Sequence, residues 1–109
     1  MARELNNREY FDVGYGIVPV GITATGVTVI ATTAGNYHGV VFIASAAALT
    51  AKVYDASVGT TGNIVDIVCA ATTGTGWSDK YIPIVCKKGI TISVTGTGGV
   101  GTVFYGPKG

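Results

Sequence analysis

The sequence predicts an all-β protein, an antiparallel β-sandwich of jelly-roll type preceded by a short N-terminal arm. Three observations carry that expectation. From Asp12 onward, Val, Ile, Thr and Tyr recur in short runs, and these residue types suit a pleated, half-buried surface. The runs are broken every 8–12 residues by Gly, Asn, Asp and Ser, which make turns. No segment keeps an apolar stripe of helical period. Residues 1–16 are assigned to the arm and residues 17–109 to the β-sandwich domain.

Residues 1–11 carry Arg3, Glu4, Arg8 and Glu9 and no apolar periodicity, as expected of an arm or a short helical turn. Strands are then expected at Ile17–Ile22, Val27–Thr33, Gly39–Ala46 and Thr50–Asp55. Four more follow at Asn63–Ala70, Tyr81–Cys86, Thr91–Thr95 and Thr102–Tyr105. Turn signals stand at Gly35-Asn36, Ser57–Gly62, Thr73–Gly76, Lys87–Gly89 and Gly96–Gly101. The alanines of Ala44–Lys52 suit a helix, but strands on both sides favour extended chain. Every second residue of Ile90–Thr95 is apolar, the pattern of a strand with one buried face. In Asn63–Cys69 the same rule puts Val65, Ile67 and Cys69 against the core and Asp66 outside. Val40-Val41-Phe42-Ile43 is apolar on both faces. A sandwich strand buries only one, so its second face requires a cover, from the arm or from another subunit.

At 109 residues and 11.1 kDa the chain has the size of one domain with one core. Only 12% of its residues are charged, against about 25% in an average protein, and it holds 17 Gly and 15 Thr. A formal net charge of +1 provides no basic footprint, so no nucleic-acid partner is expected. A mean hydropathy of +0.48 argues against disorder. So few charges leave little repulsion between copies, and the surface is expected to meet neighbours. The polar N-terminus lacks the apolar core of a signal peptide. The longest apolar stretch, Val40–Leu49, is broken by Ser45 and falls short of the roughly 18–20 residues that span a bilayer. No membrane partner is expected, and synthesis is expected in a cytosol. Cys69 and Cys86, 17 positions apart in apolar runs, are read as buried reduced thiols on nearby strands. A disulfide is the alternative, disfavoured in a reducing compartment. One His and two separated Cys supply no metal ligand set.

Few motifs carry chemistry. Gly96-Thr97-Gly98-Gly99-Val100-Gly101 matches G-x-G-x-x-G, but a dinucleotide site needs a helix after it to hold the pyrophosphate. Here strand-like Thr102–Tyr105 follows, so a hairpin turn is expected and no cofactor. His38 is the only imidazole and is placed at a hairpin tip or strand start as a structural histidine. Asp12, Asp55, Asp66 and Asp79 are scattered, whereas glycosidase chemistry needs two carboxylates across a cleft. No catalytic residue, and no enzyme, is expected. Trp77, in the stretch Gly74–Asp79 taken as a loop, has three open roles: an end plug of the sandwich, a subunit contact, or a platform for a sugar. Tyr10, Phe11 and Tyr15, in or just past the polar arm, are expected to anchor into a partner surface.

Three segments carry a family resemblance: Val53-Tyr54-Asp55-Ala56-Ser57-Val58-Gly59-Thr60, Trp77-Ser78-Asp79-Lys80-Tyr81-Ile82-Pro83-Ile84, and Lys88–Gly98, closed by Gly101-Thr102-Val103-Phe104-Tyr105. Over residues 50–105 the chain resembles small virion proteins of tailed bacteriophages, the β-sandwich head decoration or cement proteins and related fibre modules. The shared motifs are those of turns and strands. The resemblance implies a structural protein located on the virion, bound to the lattice of the major capsid protein. It also implies a homotrimer that clamps neighbouring capsid subunits against internal pressure. The alternative it leaves is a carbohydrate- or cell-surface-binding module of a phage fibre or tail.

Overall fold

The computed structural model describes residues 17–22, 25–45, 47–96 and 98–107. The expected arm, with Tyr10, Phe11 and Tyr15, lies outside them. The described chain forms eight strands: β1 Val18–Ile22, β2 Gly26–Ala31, β3 Gly35–Ile43, β4 Leu49–Asp55, β5 Asn63–Ala70, β6 Thr75–Cys86, β7 Ile90–Thr95 and β8 Val100–Pro107. They pair antiparallel into two four-stranded sheets of order β1-β8-β3-β6 and β2-β7-β4-β5. The pairs β1·β8, β2·β7, β3·β6 and β4·β5 are those of one long hairpin folded at the middle of the chain and then rolled. Consecutive strands therefore fall in opposite sheets, except β4 and β5. The expected β-sandwich is the fold.

The core lies between the sheets. Val40, Phe42 and Val103 face Ala51, Val53, Ile90 and Ile92, all buried. Each such side chain contributes about 1.5–3 kcal/mol by leaving water. In β7 the alternation seen in the sequence is kept, with Ile90, Ile92 and Val94 inward. Thr91 has outward parity yet is fully buried. Its hydroxyl donates to the Ala56 carbonyl at 2.9 Å, so the loop after β4 covers it. The Asp55 carboxylate accepts the backbone N–H groups of Lys87 at 3.1 Å and Lys88 at 2.8 Å, which ties the end of β4 to the β6–β7 turn. Gly96, Gly98 and Gly99 all have positive φ, and the formal G-x-G-x-x-G is the β7–β8 turn.

Two strands start earlier than expected. β3 begins at Gly35 rather than Gly39, so the Gly35-Asn36 turn is absent and His38 lies within a strand. A bulge between Tyr37 and Gly39 makes this possible. It lets Tyr37 on one side and Val40 on the other both point inward. Gly39 is required there: its φ is +134°, and a Cβ would run into the Ser78 carbonyl. β6 begins at Thr75, which shortens the preceding turn to Ala71–Gly74, closed by a Gly74 N–H to Ala71 carbonyl bond of 2.7 Å. Trp77 is therefore a strand residue. Opposite the bulge, β6 sets residues 80–83 against His38 alone. Pro83 lies in this excursion, on an edge strand, where a missing N–H costs no ladder bond. The described residues between Ile43 and Leu49 form neither helix nor strand.

The alternation expected for β5 holds at Val65, which packs against the core, and is inverted after the pairing irregularity there. Val68 and Ala70 are buried, while Ile67 is 54% exposed and Cys69 is on the outside. Asp66 points inward, its side chain only 10% exposed. A slip of one residue exchanges the two faces of a strand. What decides the face is a partner: the buried Tyr37 hydroxyl donates to Asp66 Oδ2 at 2.6 Å, and Lys80 Nζ stands 3.6 Å from Oδ1. Burial pushes the Asp66 carboxyl up, but the Tyr37 and Ser78 hydroxyls and the Lys80 charge outweigh it and hold it below the usual range. Burial, and then the Asp66 carboxylate, push the Tyr37 phenol far above its ordinary value. The cysteine expectation holds for one residue of two. Both are free, Cys86 buried and Cys69 exposed. Burial, and then the Asp55 charge, push the Cys86 thiol up to about 11.

Tyr37→Phe removes the hydroxyl donor from the buried Asp66 Oδ2, and is expected to cost about 1.5–3 kcal/mol at pH 7 by urea denaturation. The carboxyls of Asp66 and Asp55 are held low in the folded state. Their contribution is present above the unfolded carboxyl value of about 3.9 and is lost as pH falls through and below it. Acid unfolding is therefore expected below about pH 4, and Tyr37→Phe flattens that dependence; an unchanged acid limb counts against the assignment. A thiol reagent should modify Cys69 in the native protein and Cys86 only after denaturation.

Candidate functional site

The outer face of the β1-β8-β3-β6 sheet is built from the residues that alternate with its core positions. Val41 pairs with Trp77 on one side and Thr102 on the other, and Gly39 with Asp79 and Phe104. Their inward neighbours Val40, Phe42 and Val103 are buried, so Val41, Ile43, Trp77, Val100 and Phe104 lie on the opposite side. β3 and β8 are thus apolar on both faces. Trp77 is 68% exposed, Val100 56% and Ile43 51%, and among the described residues no segment covers them. The second face of Val40–Ile43 is apolar, and no described residue covers it.

On this face a shallow groove of about 550 Å³ is lined by Ile17, His38, Val41, Trp77 and Phe104, with Ser78, Asp79 and Lys80 at its rim. The β3 bulge shapes it, because Gly39 brings β6 close while residues 80–83 swing out. Burial lowers the His38 pKa, so the imidazole is neutral at pH 7 and adds little charge to the wall. A groove of this composition gains from removing apolar area from water and from stacking on the Trp77 ring. A second depression lined by Val41, Ile43 and Val100 continues the surface along the strands.

Of the expected contact residues, Tyr10, Phe11 and Tyr15 lie outside the described residues. Trp77 is on the outer face of β6, which rules out the end plug and leaves the contact and the ligand platform. Ile17, His38 and Phe104 were not singled out as contact residues. A signal existed for Phe104: Thr102-Val103-Phe104-Tyr105 is apolar on both faces like Val40–Ile43. For His38 there was none, because the bulge that turns it outward joins strands distant in sequence. Among the described residues no group of three or more His, Cys, Asp or Glu could hold a metal ion. No described helix is long and apolar enough to cross a membrane. No family model matches the chain, and neither a curated protein nor a solved structure matches it.

Trp77→Ala removes a side chain that supports no core, and is expected to change unfolding free energy by less than about 0.5 kcal/mol. Phe42→Ala, one rung away but facing inward, should cost about 3–5 kcal/mol. Urea denaturation of the two variants checks this, and equal losses would place Trp77 in the core.

Proposed function

We propose that this chain is a non-enzymatic structural protein of a bacteriophage virion, which binds an assembled capsid and stabilises it as a decoration or cement protein. The observation that carries the reading is the open apolar face of the β1-β8-β3-β6 sheet, on a chain with 12% charged residues. A free monomer gains nothing from keeping Trp77, Ile43 and Val100 in water, whereas an assembled subunit buries them. The resemblance over residues 50–105 supplies the partner, the major capsid protein lattice, and the homotrimer that bridges its subunits. The rolled-hairpin strand order favours the jelly-roll reading within the β-sandwich class. In this assembly the sandwich is the rigid body, its apolar faces meet neighbours, and the arm bearing Tyr10, Phe11 and Tyr15 reaches onto an adjacent surface.

One observation favours a second reading. An exposed tryptophan beside Phe104, with His38 and Asp79 within the same groove, is also a surface on which a sugar ring stacks while its hydroxyls meet polar side chains. That surface suits a carbohydrate-binding module of a phage fibre or tail.

The readings separate experimentally. Light scattering at micromolar concentration should show a stable oligomer, and the protein should co-sediment with capsids; a monodisperse monomer that ignores capsids defeats the decoration reading. Deleting residues 2–11 should weaken capsid attachment while leaving the circular dichroism of the sandwich intact. A glycan-array signal abolished by Trp77→Ala would establish the carbohydrate reading instead.

A further inference from the structure

The groove and the chain before it have matching chemistry. Ile17 forms one wall of the groove, and directly before it stands Tyr10-Phe11-Asp12-Val13-Gly14-Tyr15-Gly16. That stretch holds three aromatic residues and a valine with a single charged residue, Asp12, and Lys80 at the rim of the groove stands 3.6 Å from Asp66. The groove walls are Trp77, Phe104 and Val41. An extended chain covers about 3.3–3.6 Å per residue, so residues 10–15 reach from about 7 to about 25 Å beyond Ile17. Four strands set about 4.8 Å apart span about 14 Å. The segment is long enough to cross a groove of this width.

Strand direction decides whose groove it crosses. β1 runs antiparallel to β8, with Val18 opposite Tyr105 and Ile22 opposite Gly101. β1 therefore begins at the Pro107 end of β8. Trp77 lies across the sheet on the rung of Gly21, Thr102 and Val41, in the other direction along the strands. A segment that prolongs the line of β1 leaves its own Trp77 behind, and a groove it meets beyond that end belongs to another copy. We infer that residues 10–15 of one copy occupy the Trp77–Phe104 groove of the next copy. Each copy then offers a groove on one side and an arm on the other. Such a heterologous contact closes into a ring when the rotation between copies allows it. This rests on the homo-oligomer of the proposed function and names the two surfaces that form it. The exchange also covers the outward side of Val41, which lines the groove.

Trp77 is the only tryptophan in the chain, so indole fluorescence reports on this groove alone. The full-length oligomer should emit at shorter wavelength than a fully hydrated indole and resist acrylamide quenching, and both effects should vanish on dilution to the monomer. The triple variant Tyr10→Ser, Phe11→Ser, Tyr15→Ser, still folded by circular dichroism, should emit as a hydrated indole at every concentration. Mixing it with Trp77→Phe chains, which keep the arm and lack the reporter, should restore the blue shift and the protection. Protection that persists in a full-length monomer, or a mixture that restores nothing, overturns the exchange. An oligomer whose Trp77 stays hydrated with or without the arm overturns it too, while leaving the assembly reading intact. A monomer with hydrated Trp77 at all concentrations defeats both.

Discussion

The hydrogen bond from the Tyr37 hydroxyl to Asp66, 2.6 Å long, joins the two sheets at the side where β5 lies against β6. It carries a carboxylate into the interior of a sandwich that is otherwise apolar there. A buried charge without partners is expensive; here Tyr37, Ser78 and Lys80 surround it. Much of the local structure follows from keeping these groups together. Asp66 must face inward, so Val68 and Ala70 do too, and Ile67 and Cys69 are left outside. Tyr37 must face inward on β3, so the strand needs a bulge before Val40 and Phe42 also face the core. Gly39 permits that bulge because a side chain there would strike β6.

The bulge has a consequence on the other side of the sheet. By drawing β3 and β6 together at Gly39 and letting residues 80–83 loop outward, it makes the groove in which Trp77, Phe104, His38 and Ile17 meet. The inner polar contact and the outer apolar surface are two results of one irregularity in the β3·β6 pairing. A sandwich with regular pairing would present a flatter face. The association proposed for this protein depends on that concavity, since an extended segment needs walls on both sides to leave water behind.

Much of the fold was legible in the sequence because alternation and turn chemistry are local. All eight strands appear, six of them with both ends within about two residues of the expected positions, which is the uncertainty of a strand boundary. The open face was legible too, because Val40–Ile43 has apolar residues at consecutive positions and a strand can hide only every second one. The groove was legible only in part. The sequence leaves Trp77 three roles, end plug, subunit contact or sugar platform, and its groove neighbours Phe104 and Ile17 lie far from it along the chain, so nothing local links them. The inward turn of Asp66 ran against the sequence pattern. An apolar alternation of Val65, Ile67 and Cys69 is a good local reason to place the aspartate outside, and only the distant Tyr37 reverses it.

By itself, the amino-acid sequence determined the class of the fold, the number and approximate limits of the strands, the glycine-rich turns, and the existence of an apolar face that requires a cover. These follow from side-chain period and from which residues tolerate a turn, properties of short stretches of chain. The tertiary structure alone decided which face of β5 is the inner one, where β3 bulges, that Asp55 binds the Lys87–Lys88 turn, and that Trp77 shares a groove with Phe104 and Ile17. Each of these is a contact between residues far apart in the chain. Its energy arises only when strands from the two ends of the rolled hairpin come together, and no local pattern carries that information.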